Sequence, residues 1–139
     1  MKSKIVSAVV VALAFTAWSG IASAHLCKDV TIRVDNDFTH DGSPAQIQVV
    51  DFDYWDDEEG KWREENWVGN VVIDYNAGSR IIATRNLEYV GDESGVIIRV
   101  QFRYMTEKNG WSEQLNAQSS PFKCVRDGPN SRTITVVPL

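Results

Sequence analysis

Beyond residue 24 the sequence holds no apolar run approaching the roughly 20 residues that a membrane-spanning helix requires, so stable membrane insertion of the remainder is not expected. Cysteine is scarce. Cys27 and Cys124 are the only two in 139 residues, too few and too widely separated for a thiolate metal site. Histidine is equally scarce, with His25 and His40 alone. A serine triad would have to recruit His40, and no Gly-x-Ser-x-Gly nucleophile elbow accompanies it. Helical periodicity is almost missing, and with it any glycine-rich loop leading into a helix that could hold phosphate. Acids for glycoside hydrolysis could be drawn from Asp51, Asp53 and Glu64, but a surface hairpin lacks the apolar pocket that raises one carboxyl pKa. The expectation is a protein that binds rather than catalyses.

What is present starts with a leader. Lys2 and Lys4 precede the apolar stretch Ile5 to Ala17, and Ala22-Ser23-Ala24 gives the small-x-small pattern of a signal-peptidase site. Residues 1–24 therefore read as a cleaved secretory signal and 25–139 as a single domain, exported to the periplasm or the extracellular space. In an exported chain Cys27 and Cys124 most simply form one disulfide.

The expected mature chain carries twelve Lys or Arg against nineteen Asp or Glu. The acids are concentrated. Between Asp51 and Glu65 eight of them accompany two bases, so this segment alone has a net charge of −6. Such a patch repels nucleic acid and anionic lipid, and attracts a cation or a basic protein surface.

The remaining pattern has a period of two. Val30, Ile32 and Val34 alternate with polar residues, and Val96, Ile98, Val100, Phe102 and Tyr104 form the clearest half-buried strand, its polar face carrying Arg99 and Arg103. Further strands are expected at Val71 to Tyr75, Arg80 to Val90, from Trp111, at Pro121 to Val125 and at Arg132 to Val137, with Asn36 to Pro44 a loop. Lys108-Asn109-Gly110 reads as a hairpin with a type I′ turn. Six to eight short strands and one long-range disulfide predict an all-β, antiparallel two-sheet sandwich of immunoglobulin- or fibronectin-like architecture, with a small β-barrel as the alternative.

The densest chemistry lies in Gln46 to Val68. If Asp57 to Gly60 is a four-residue hairpin loop, Asp56 faces Lys61, Trp55 faces Trp62, Tyr54 faces Arg63 and Asp53 faces Glu64. That register places Val50, Phe52, Tyr54 and Trp67 on a core face, with Asp51, Asp53, Glu64, Asn66 and the two tryptophans Trp55 and Trp62 on the other. It also sets Asp53 against Glu64, a like-charge cross-strand pair that costs stability. Solvation can relieve this pair, as can Arg99 or Arg103 on a neighbouring strand. A calcium ion held by Asp51, Asp53, Glu64 and Asn66 is a third solution.

Two other constellations stand out. Tyr54, Trp55, Trp62 and Trp111 are candidates for an exposed aromatic platform that stacks on sugar rings or anchors a basic protein partner. Cleavage after Ala24 would expose the α-amine and imidazole of His25, which with His40 could chelate copper(II). Recognition of a protein or glycan through the acidic, Trp-rich hairpin is the leading functional expectation, and metal binding is the alternative.

Overall fold

The computed structural model of the chain describes residues 27–56, 59–88, 90, 95–108, 110–124 and 130–137. The expected leader and His25 lie outside these residues. No helix occurs among the described residues, and none of their segments is a helix long and apolar enough to cross a membrane. The strands in chain order are β1 (Cys27–Asn36), β2 (Thr39–His40), β3 (Ser43–Pro44), β4 (Ile47–Asp56), β5 (Lys61–Glu64), β6 (Val71–Ile73), β7 (Arg80–Leu87), β8 (Ile98–Thr106), β9 (Gly110–Trp111), β10 (Leu115–Gln118) and β11 (Asn130–Val136).

They form two main sheets. The smaller has the order β11-β1-β7, and the larger has the order β10-β8-β4-β5, with β6 also paired to β4 and β9 to β8. In β1 the alternation seen in the sequence becomes alternating burial, with Val30, Ile32 and Val34 fully buried. These side chains join Ile134 and Val136 of β11 and the inward residues of β4 and β8, among them Ile47, Val49, Phe52, Ile98, Val100 and Phe102, in one hydrophobic cluster. Burying each such side chain is worth roughly 1.5 to 3 kcal/mol, which makes this cluster the main source of stability.

Cys27 and Cys124 are joined, with their Cα atoms 5.7 Å apart across a sequence separation of 97. The same neighbourhood corrects the expectation of an antiparallel scheme throughout. β1 and β11 run parallel, with Ile32 opposite Arg132 and Val34 opposite Ile134. Parallel neighbours need a long connection rather than a tight turn, and here almost the whole domain supplies it.

Three local features also depart from the sequence pattern. The segment expected as a loop contains the β2–β3 hairpin, in which His40 pairs with Ser43 around Asp41 and Gly42. Both turn residues have positive φ, 50° and 76°, as a type I′ turn demands. The hairpin at residue 108 pairs Thr106 with Gly110, so three residues rather than two separate the paired positions, and Gly110 has a positive φ of 77°. The strand expected at Pro121 to Val125 reduces to a single bridge between Val96 and Phe122, and residue 125 lies outside the described residues.

Bulges bend what would otherwise be a flat ladder, and the larger sheet is curled into a half-barrel. One lies in β4, where the pairing with β8 shifts between Val49 and Asp51 and leaves Val50 as the extra residue. Its consequence is a change of phase. Ile47 and Val49 point to the core before the bulge, and Phe52, Tyr54 and Asp56 are the buried series after it.

A buried side chain ties the loops to this frame. The Asn36 amide group donates to the carbonyls of Ala45 and Ile73, each at 2.9 Å, and its Oδ1 accepts from the N–H of Phe38 at 3.0 Å. All three contacts hold the start of the β2–β3 hairpin and the end of β6 against β1. Satisfying every polar atom is what allows an asparagine with no exposed surface to sit there.

Candidate functional site

The β4–β5 hairpin has the four pairings that the four-residue loop predicts: Asp56 with Lys61, Trp55 with Trp62, Tyr54 with Arg63 and Asp53 with Glu64. Gly60, at φ 60°, closes the loop. Beyond Glu64 the ladder ends, and Trp67 instead packs its ring 5.5 Å from that of Phe52. Gly69 makes this possible, because a Cβ there would collide with the Trp67 indole.

Asp53 is the centre of the outer face. It is fully buried, and its Oδ2 accepts from Arg99 Nε at 3.0 Å, from Arg99 Nη2 and from Gln101 Nε2 at 3.1 Å. Gln101 in turn accepts from Gln114. The register explains the choice of cation, because Asp53 is opposite Arg99 on β8 while Arg103 is opposite Gln48, farther along the strand. The carboxylate conflict with Glu64 is thus answered by Arg99.

Arg99 has a second role. Its guanidinium carbon lies 4.3 Å from the ring centre of Trp62, a cation–π contact. Trp62 meets Trp55 edge to face, with ring centres 5.4 Å apart and planes inclined by 69°. The result is a stack running from the buried Asp53 through Arg99 and Trp62 to Trp55, both rings half-buried. On the inward side of the same hairpin, Asp56 is buried and accepts from Arg63 Nε at 2.7 Å and from the N–H of Glu59 at 3.1 Å. These contacts fix the hairpin end on both faces.

Asp51 lies on the outer face beside this network. Its carboxyl pKa is raised, first by desolvation and then by the neighbouring charges of Asp53 and Glu64, against the hydrogen bond from the N–H of Phe52. A folded-state pKa above the unfolded one means that the native state binds more protons, so stability falls as pH rises through this carboxyl's titration. The cost is fully present above its folded pKa and absent well below the unfolded value. Asp51→Asn, whose amide oxygen can still accept from Phe52, is therefore expected to raise the melting temperature at pH 7. Near pH 3 it should leave the temperature unchanged. Paired thermal melts at the two pH values check this, and a rise at both would assign the gain to something other than charge.

The structure separates the other candidates. Tyr54 is on the core face, 2% exposed, and donates its hydroxyl to the carbonyl of Glu88, while burial pushes its phenol pKa up. It therefore does not share a surface with Trp55 and Trp62. Trp111 lies on β9, beside His40 in a cleft of 690 Å³. Glu64 and Asn66 are exposed, and Asp53 Oδ2 is already occupied by Arg99 and Gln101. Among the described residues no group of three His, Cys, Asp or Glu side chains is arranged to hold a metal ion. Of the copper pair, His40 lies on β2 and His25 lies outside the described residues.

Gln101, Gln114, and the clamp of Asp56 on Arg63 went unread in the sequence. Gln101 could have been found, because it follows Arg99 by two on the same polar strand face. The chain matches no protein-family model, no curated protein and no solved structure.

Proposed function

We propose that this protein is an exported binding module that recognises a basic protein surface through the outer face of the β4–β5 hairpin. The observation that carries the reading is the stack of Asp53, Arg99, Trp62 and Trp55. Tryptophan and arginine dominate the energetics of protein contacts, and they do so most when held rigid before binding. Here a buried carboxylate and a second indole hold them. Trp62 carries Arg99 over its ring and meets Trp55 edge to face, an arrangement that favours protein packing over the face-on stacking of a sugar. Glu64 is exposed opposite Asp53, and the segment's charge of −6 favours a basic partner.

Export is supported by the leader pattern, and one long-range disulfide suits an oxidising compartment. The architecture proposed for the module is the two-sheet sandwich, its support being that inward faces of both sheets contribute to one core cluster.

A photo-crosslinking residue introduced at Glu64 tests the reading in the producing cell, with the same residue at Thr84 on β7 as the control. The expected result is a protein captured from Glu64 and not from Thr84. Its affinity for the purified chain should fall by at least about tenfold in Trp62→Ala and decline as salt is raised. Equal capture from both positions, or an affinity indifferent to Trp62→Ala, would refute the proposal.

A further inference from the structure

We infer that the cleft between the β2–β3 hairpin and the β8–β9 end of the larger sheet is a second binding site, one that takes a neutral saccharide. It lies apart from the hairpin face and is built from different strands. Its 690 Å³ falls within the size range of small-ligand sites, which combine aromatic walls with a few polar groups.

The aromatic wall is fixed in place. Tyr104 has Phe38 on one side, ring centres 5.0 Å apart, and His40 at 4.5 Å. Phe38 is itself buried against Phe102, at 5.5 Å. The Asp41-Gly42 turn holds His40 over Tyr104, and Asn36 holds the base of that hairpin. Trp111 lines the cleft as a half-buried indole. It pairs with Met105 and is followed by Ser112, whose N–H donates to the carbonyl of Tyr104 at 2.8 Å and whose Oγ accepts from the N–H of Tyr104 at 3.0 Å. The site thus exists before any ligand arrives, and little ordering cost falls on binding.

Two carboxylates line the cleft: Asp41, 89% exposed at its side chain and 3.4 Å from His40 Nε2, and Glu113, also exposed. Carboxylates accept hydrogen bonds from sugar hydroxyls while aromatic rings cover the apolar C–H face of the pyranose. Two acids at the rim disfavour an acidic sugar. Their wide exposure places them in a high dielectric, where attraction for a small cation is weak.

An array of neutral, amino and acidic oligosaccharides probed with the mature, disulfide-bonded chain tests the inference. Calorimetry on one captured neutral oligosaccharide then uses wild type, Trp111→Ala, Trp111→Phe, Glu113→Gln and Trp62→Ala. The expected result is capture of neutral glycans, about tenfold weaker binding in Trp111→Ala, partial recovery in Trp111→Phe, weaker binding in Glu113→Gln, and no change in Trp62→Ala. A blank array, capture of amino or acidic glycans alone, or binding that survives Trp111→Ala overturns the inference. Loss of binding in Trp62→Ala alone also overturns it and moves the sugar to the hairpin face. Far-ultraviolet circular dichroism of each variant confirms that the fold is retained.

Discussion

Replacing Cys27 and Cys124 together by alanine is expected to lower the unfolding free energy by about 4 to 5 kcal/mol. The bond spans a sequence separation of 97, and loops of that length lose the most entropy when a cross-link closes them in the denatured chain. The position adds to the argument. β1 is the middle strand of its sheet, and its partner β11 comes from the other end of the domain. No local turn helps that parallel pair to find its register. Cys27 is fully buried, so alanine is preferred to serine, which would bury an extra hydroxyl. Guanidinium unfolding of the oxidised protein, the reduced protein and the double variant provides the check. The reduced and double-variant curves should nearly coincide, with a steeper denaturant dependence than the oxidised protein because more surface is exposed on unfolding. A loss below about 1 kcal/mol would mean that the uncross-linked denatured chain already keeps its ends together.

The disulfide was legible in the sequence because a leader pattern and a count of two leave one simple pairing. The hairpin register was legible for a similar reason: Gly60 allows only a few loop lengths, and each fixes every pair outward from it. The bulge at Val50 was not. Val49 and Val50 are both valines, so the pattern of apolar residues reads equally well with or without an extra residue. Only the partner strand β8 decides where the phase changes. The parallel pairing of β1 with β11 leaves no mark in either strand's own residues, since alternation is the same for both directions. The β2–β3 hairpin is a different case. Asp41-Gly42 is among the strongest short-range turn signals, but the strands beside it are two residues long and too short to show alternation. The cleft above Tyr104 was hidden with it.

The outer-face candidates Asp53 and Glu64 were visible as a conflict, and the structure turns that conflict into a second large prediction. Arg99→Ala is expected to cost about 3 to 5 kcal/mol, because it strands the buried Asp53 carboxylate beside Asp51 and opposite Glu64. Asp53→Ala should cost less, since Arg99 is about one quarter exposed and can turn to water. If the pair acts as a unit, the double variant should be more stable than the sum of the singles implies, by about 2 kcal/mol. Strict additivity in chemical denaturation would show that the contact contributes nothing of its own. Arg99→Lys separates charge from geometry. Lysine keeps the positive charge but cannot present two parallel N–H groups to Oδ2 or lie flat over Trp62. It should restore part of the stability while leaving Trp62 more accessible to a soluble quencher such as acrylamide. Full recovery of both would reduce Arg99 to a counter-charge. Recovery of stability alone would place the ordering of the tryptophan pair in the planar guanidinium, the group on which the proposed recognition face depends.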